Sequence, residues 1–335
     1  MTVTTSLVVG GGGFLGRAVV AALEDAGDRV LVPRVPWGDQ DAAAAVLVDA
    51  VRALRAGDGP WRLVWCAGTG FVATGADAFA TEAALLARVL DPAATAPDGA
   101  AVANTPAAAG AAGTPGVVFF ASSAGATYAG STGVPFDEST DPRPLAPYGS
   151  SRLAAEAQFR NWAAATGTRA LVGRIANLYG PGANLTKPQG LVSQLALAHV
   201  EGRPSSIYVP FETTRDYLYI DDAAAMIVDA LDAVAADPVG SARTKIFASQ
   251  EGRSIAEVIT AVEQALGSSL DVIAGQDPSA SFQGTDLRFR STVLPSVDDR
   301  QLVPFADGVA RTVDAIRSAA SSTTHPQDER GERRG

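Results

Sequence analysis

The sequence predicts an α/β fold, a doubly wound parallel sheet with helices on both faces, and three observations carry that prediction. Short apolar runs of strand length alternate with segments of helical period from residue 6 to residue 174. The first strand runs through a glycine-rich turn, GGGGFLG at 10–16, straight into a helix. Hydrophobic residues make up 47% of the 335-residue chain and charged residues 19%, enough apolar material for a large core.

Ser6–Val9 reads as the first strand, and Phe14, Leu15, Ala18, Val19, Ala22 and Leu23 form one apolar face of the helix that follows. Gly27 stops that helix and Arg29–Val32 is a second strand. Asp41–Ala56 is an alanine-rich helix, Arg62–Cys66 a strand, and Ala78–Leu90 a helix. Residues 91–116, rich in Ala, Pro, Gly and Thr without an apolar period, are expected to be a flexible surface insertion. Val117–Ala121 is a strand, Tyr148–Ala165 a helix and Arg169–Arg174 a strand. Past residue 180 the pattern loosens. Helices are expected near Leu191–Glu201, at Ala223–Ala235 (capped by Asp221 or Asp222) and at Ile255–Leu266. Strands are expected near Ser206–Val209 and at Lys245–Ala248, and 318–335 as a polar, disordered tail.

Composition excludes several functions. The net charge of −10 argues against a nucleic-acid partner, although a small anion needs only local amides and one or two arginines. No apolar run approaches the ~20 residues that span a bilayer, so no membrane association is expected. The N-terminus lacks a basic segment before an apolar one, and the single cysteine, Cys66, sits in the apolar run RLVWCAG; both favour the cytoplasm. His199, His325 and Cys66 offer no zinc-ligand spacing, so no metal is expected.

In the glycine turn, Gly10, Gly13 and Gly16 fall three apart between strand and helix, the pattern of a Rossmann dinucleotide-binding loop. Gly10 permits the tight turn, Gly13 lets the backbone approach a pyrophosphate, and Gly16 allows close helix–strand packing. The amides at Phe14 and Leu15 open the helix toward the phosphates. An acidic residue usually follows about 20 positions on and holds the ribose diol of NAD. Here the segment reads Val30-Leu31-Val32-Pro33-Arg34, and a guanidinium at Arg34 suits a 2′-phosphate, so NADP is favoured over NAD. The alternative is a solvated surface arginine without a role in cofactor choice.

Six motifs in order add a resemblance: GGGGFLG, the strand end Trp65-Cys66-Ala67-Gly68, FFASSAGATYAG at 119–130, PFDEST followed by PYGSSRLAAE at 147–156, RIANLYGPG at 174–182, and RDYLYIDDAA at 215–224. From residue 6 to about 250 the chain resembles the extended short-chain dehydrogenase/reductase family of nucleotide-sugar epimerases and dehydratases. The resemblance implies a Rossmann domain of about seven parallel strands, here 1–180 with 215–250. It also implies a smaller, discontinuous C-terminal substrate domain, here 181–214 with 251–317. It implies an oxidoreductase acting on a nucleotide sugar through a transient ketone, with a tyrosine as acid/base whose pKa is depressed by a lysine one turn on. A homodimer through two long helices, Ala78–Leu90 and Tyr148–Ala165, is expected on the same ground.

Tyr148 matches the tyrosine, while the lysine position is Arg152, whose planar, permanently charged fork differs from an ammonium. The family's Ser/Thr position is Ala124, with Ser122 and Ser123 adjacent; Ser123 is the hydroxyl that can substitute. Ala67, Gly68 and Ser122 are expected to line the cofactor beside Tyr148 and Arg152. Asn177 and Arg215 match the substrate's phosphate contacts, against the alternatives of a turn residue and of an ion pair with Asp216 or Asp222. Two functions stay open: a working epimerase, dehydratase or reductase, and a catalytically degenerate binding protein that serves as partner or regulator. Ala124 and Arg152 favour the second. Tyr148, Asn177, Arg215 and the complete glycine loop favour the first.

Overall fold

A computed structural model describes residues 2–68, 76–97, 116–187, 190–277 and 282–323. The chain begins β1 (Thr5–Val9), α1 (Phe14–Asp25), β2 (Arg29–Leu31), α2 (Gln40–Arg55), β3 (Trp61–Trp65) and α3 (Ala76–Val89). It continues with β4 (Val117–Ser123), a single turn α4 (Ala124–Thr127), α5 (Pro147–Thr166), β5 (Arg169–Ile175) and β6 (Asn177–Tyr179). Then come α6 (Leu191–Val200), β7 (Ser205–Ile207), β8 (Thr214–Tyr219), α7 (Ile220–Val234) and β9 (Ala242–Phe247). The remainder is β10 (Gly252–Ser254), α8 (Ile255–Leu266), β11 (Val272–Ala274), β12 (Asp286–Leu287), α9 (Pro295–Asp298) and α10 (Phe305–Thr323).

A six-stranded parallel sheet in the order β2-β1-β3-β4-β5-β9 is the frame. Its strands are apolar on both faces, and alternate side chains go to opposite cores. In β1, Leu7 and Val9 join one core with residues of α2, α3 and α5, whereas Val8 joins the other with residues of α1 and α7. The chain leaves β1 in one direction to form β2 and in the other to form β3. The reversal opens a crevice at the carboxyl ends of β1 and β3, where such sheets bind ligands. Described residues supply six strands here, against the about seven implied by resemblance.

Beyond β5 the chain builds a second layer. β8 pairs with β10, β12 and β6, and β7 with β11. One apolar cluster holds these strands to α6, α8 and α10 through Val192, Leu195, Val258, Val262, Val309 and Val313. α8 starts on a reciprocal cap: Ser254 Oγ accepts from Glu257 N at 3.2 Å while Glu257 Oε2 accepts from Ser254 N at 2.7 Å. Such caps contribute about 1 kcal/mol.

Some expectations change. The start of the expected insertion is anchored at Thr95, which is fully buried and whose Oγ1 accepts from Trp162 Nε1 at 3.2 Å, while 91–93 are exposed; 98–115 lie outside the described residues. The expected tail at 318 is instead the end of α10, which runs to Thr323; it begins where the apolar spacing Val309, Val313, Ile316 meets α6 and α8. Residues 324–335 lie outside the description. α7 begins at Ile220, so Asp221 and Asp222 lie in its first turn and neither caps it. The Asp222 carboxylate instead accepts from Val303 N at 2.9 Å. Among the described residues no helix is long and apolar enough to cross a membrane.

Candidate active site

The carboxyl ends of β1, β3 and β4 and the start of α5 face the second layer across a cleft of about 1460 Å³. Gly10, Gly13, Phe14, Leu15, Ala67 and Gly68 line its first part. Gly10 has φ +86°, and a Cβ on it would lie 2.5 Å from Ala67 N, so only glycine allows the two strand ends to approach. A Cβ on Gly16 would stand 2.1 Å from Gly10 O, whereas one on Gly13 would meet only that same oxygen, at 3.2 Å. Gly13 caps α1 without any side-chain bond, which leaves the helix's leading amides to the cleft. Arg17 ties the loop down by donating to Gly12 O at 2.6 Å and to Gly182 O.

Arg34 stands exposed three residues past the end of β2 and is not among the residues that line the cleft. Trp37, from the same loop, and Gln40, at the start of α2, do line it, and sequence reasoning passed over both.

Ser122 and Ser123 end β4. Ser122 lines the cleft, but its hydroxyl is committed, donating to Glu156 Oε1 at 2.7 Å. Glu156 in turn accepts from Arg174 Nε at 3.0 Å and Nη2 at 2.8 Å, and Arg174 Nη1 donates to the Tyr128 hydroxyl at 2.6 Å. Ser123 lines the cleft and its Oγ accepts from Ala126 N at 3.3 Å as the cap of α4. Ala124 is fully buried beside Tyr128 and Phe136. Of these neighbours, Ser123 is therefore the residue that offers a hydroxyl to the cleft.

Pro147 occupies the first position of α5, where its missing N–H is harmless, and Tyr148 follows it. Arg152, one turn on, is 2% exposed, and its Nη2 lies 2.6 Å from Glu82 Oε1 on α3. The Arg152 guanidinium carbon stands 5.3 Å from the centre of the Tyr148 ring. Burial pushes the Tyr148 phenol above its ordinary value; Arg152 pulls it down and Glu82 pushes it up again. The depressed tyrosine implied by resemblance is thus corrected: Arg152 acts in the expected direction, but burial outweighs it and Glu82 opposes it. Glu82 carries no motif, and nothing in its alanine-rich helix marks it. Burial also pushes the neighbouring Cys66 thiol up to about 12, which leaves it a neutral apolar wall.

Asn177, exposed at the start of β6, lines the cleft beside Gly125 and Leu287. Arg215 is 7% exposed and also lines it. Its Nη1 donates to Thr214 O at 2.9 Å and its Nη2 to Gln283 Oε1 at 3.4 Å, and burial lowers its pKa. Neither Asp216 nor Asp222 pairs with it. Asp216 faces the other way, accepting from Ser249 N at 2.8 Å and Ser249 Oγ at 3.0 Å. Among the described residues the hydrogen bonds of Arg215 go to neutral oxygens, with the Asp286 carboxylate acting on it at longer range, and a buried cation so placed at the wall of a cleft is suited to receive an anion.

A sequence profile of the NAD dependent epimerase/dehydratase family matches residues 6–242. The chain belongs to this family. Among curated proteins of known activity, the dTDP-L-rhamnose 4-epimerase of Burkholderia thailandensis is 39% identical over 93 residues, 28% of this chain and 26% of that protein. The dTDP-4-dehydro-6-deoxyglucose reductase of Escherichia coli is 26% identical over 200 residues, 60% of this chain and 61% of that protein. The matched segments thus span between about a quarter and three fifths of these two relatives. Among solved structures, UDP-glucose 4-epimerase of Thermus thermophilus, in complex with NAD, superposes with a TM-score of 0.73 at 23% identity, covering 94% of this chain and 99% of that one. The UDP-glucose 4-epimerase of Thermotoga maritima with UDP-glucose superposes with a TM-score of 0.75 at 19% identity and the same coverage. For this member of the epimerase/dehydratase family, these two likenesses establish the fold.

Proposed function

We propose that the protein is an NAD(P)-dependent oxidoreductase of the epimerase, dehydratase or reductase type, acting on a nucleotide sugar through a transient keto form. One observation carries this reading. Arg215, buried and hydrogen-bonded among the described residues only to Thr214 O and Gln283 Oε1, faces the same cleft as Tyr148 and the glycine loop. A diphosphate on Arg215 and Asn177 directs the attached sugar along the cleft toward Tyr148 and Ser123.

The loop geometry fits a dinucleotide: Gly10 turns the backbone, Gly13 presents no side chain, and the uncapped start of α1 offers amides to a pyrophosphate. Bound there, a nicotinamide dinucleotide supplies hydride exchange with a sugar carbon. Tyr148 then moves the proton at the sugar oxygen, Ser123 orients that oxygen, and Arg152 holds the charge beside the phenol. Arg34, exposed beyond β2, supports NADP over NAD. The division into 1–180 with 215–250 for the dinucleotide, and 181–214 with 251–317 for the substrate, belongs to the same proposal, as does a cytoplasmic location. A homodimer is supported by the small exposed faces of two neighbouring helices, Ala80, Ala84 and Ala87 on α3 and Ala154, Ala157 and Ala164 on α5.

A second reading, a binding partner or regulator without turnover, is favoured by the Glu82 carboxylate that already meets the Arg152 charge. A thermal-shift screen with NAD, NADP and a panel of nucleotide sugars, followed by nicotinamide absorbance with each stabilising sugar, separates the two. Ligand at a hundredfold excess over Kd adds about 2.7 kcal/mol of stability, a readable shift. Turnover of any nucleotide sugar supports the enzyme. Stabilisation by dinucleotide with no turnover of any sugar supports the second reading.

A further inference from the structure

Two residues one turn apart on α3 meet two residues one turn apart on α5. Phe79 packs its ring on Tyr148, with centroids 6.0 Å apart, and Glu82 pairs with Arg152 at 2.6 Å. The pair is shut in: Glu82 is 8% exposed, Arg152 2%, and a Cβ on Gly68 would come within 3.1 Å of Arg152 Nη1. The guanidinium also stands 5.6 Å from the centre of the Phe120 ring, and both Arg152 and Glu82 line the cleft. A charge this deep is retained only when it is paired, and the pairing fixes its orientation.

We propose that Glu82 is a positioning residue for Tyr148: its carboxylate fixes the Arg152 fork beside the phenol and cancels the positive charge that Arg152 would otherwise present to the phenolic oxygen, which sets the site to give a proton to the keto form of a nucleotide sugar. This rests on the reading of Tyr148 as the acid/base. Among the described residues two charges act on the phenol: Arg152 comes from its own helix and Glu82 from α3, while the half-buried Cys66 thiol, just past β3, lines the same cleft and stays neutral. Burial and Glu82 both hold the phenol above its usual value, and Arg152 alone opposes them. In the reductive direction the carbonyl oxygen would gain the Tyr148 proton, the π pair of the C=O bond becoming the new O–H bond, while a reduced nicotinamide dinucleotide held at the glycine loop would supply hydride, and so both electrons, to the carbonyl carbon; solvent would then return a proton to the phenolate.

The test is the ultraviolet absorbance of phenolate against pH in the free, full-length protein, with Tyr148→Phe subtracted to isolate Tyr148. Glu82→Gln should lower the Tyr148 midpoint by about one pH unit, because an uncompensated guanidinium then faces the phenol. Glu82→Asp, which keeps the charge, should titrate like the parent. If Glu82→Gln does not fold, the double variant Glu82→Gln with Arg152→Gln removes both charges together and should titrate near the parent. An unchanged midpoint in Glu82→Gln, or a midpoint lowered by about a unit in the double variant, overturns the proposal. The titration needs neither substrate nor turnover, so a failure of the proposed function cannot be mistaken for a failure of this role.

Discussion

A Cβ on Gly16 would stand 2.1 Å from the carbonyl oxygen of Gly10, one turn into α1 against the turn that precedes it. Gly10 in turn sits against the Ala67 backbone, so the first helix, the first strand and the third strand are locked through two residues without side chains. Gly13 is different, with only Gly10 O near its would-be Cβ, at 3.2 Å. Gly13→Val should therefore keep the fold and lose dinucleotide binding, while Gly16→Val should lower stability by several kcal/mol through overpacking and backbone shift. Thermal melts with and without NADP distinguish them. Undiminished cofactor affinity in a folded Gly13→Val protein would sink the dinucleotide assignment.

Arg34 is exposed, and its contribution to cofactor choice is therefore electrostatic and screened. NADPH should bind more tightly than NADH, and Arg34→Ala should narrow the difference, most clearly at low salt. Equal or tighter binding of NADH to the unmodified protein, by fluorescence titration, refutes this role.

Tyr148→Phe retains the ring that packs on Phe79 and removes only the hydroxyl. It should spare cofactor binding and lower turnover by a factor of about 10² to 10⁴. Ser123→Ala should also slow turnover, since Ala124 is buried and offers no substitute at the cleft. Steady-state rates on a nucleotide sugar found by screening give the comparison. Full activity in Tyr148→Phe rules out the proposed acid/base.

Asp216 makes folding pH-dependent. It is 1% exposed, its Oδ2 has no hydrogen-bond partner of good geometry among the described residues, and burial pushes its carboxyl from 3.8 up to about 7 despite the opposing bonds from Ser249 and the Gln250 backbone. Between those values the folded protein holds a proton that the unfolded chain has lost. Stability from this group is therefore fully present below about pH 4 and declines as pH rises toward 7. Asp216→Asn should remove that decline while keeping an acceptor for Ser249. Parallel melting-temperature profiles of parent and variant across this range would contradict the assignment.

Much of this architecture was legible in the chain because it depends on short-range rules. Short apolar runs marked β1, β3, β4 and β5, apolar helical faces marked α1 and α8, alanine-rich composition marked α2, and glycine at 10, 13 and 16 marked the loop. The short strands β6, β10 and β12 were not legible, since each has few residues and acquires its meaning only by pairing with β8. The helix α10 was missed because its polar end looks like a tail until Val309, Val313 and Ile316 find their core.

The sequence by itself determined that a dinucleotide loop precedes a tyrosine and a set of anion-binding candidates, because glycine sterics and residue chemistry act locally. Only the tertiary structure decided what those residues experience. It brought Glu82 across to Arg152, turned the Ser122 hydroxyl to Glu156, buried Ala124 and set Arg215 against Thr214 O and Gln283 Oε1 at the cleft wall. Proton affinity and charge pairing are set by groups distant in sequence and by the water excluded around them, and no local pattern encodes either.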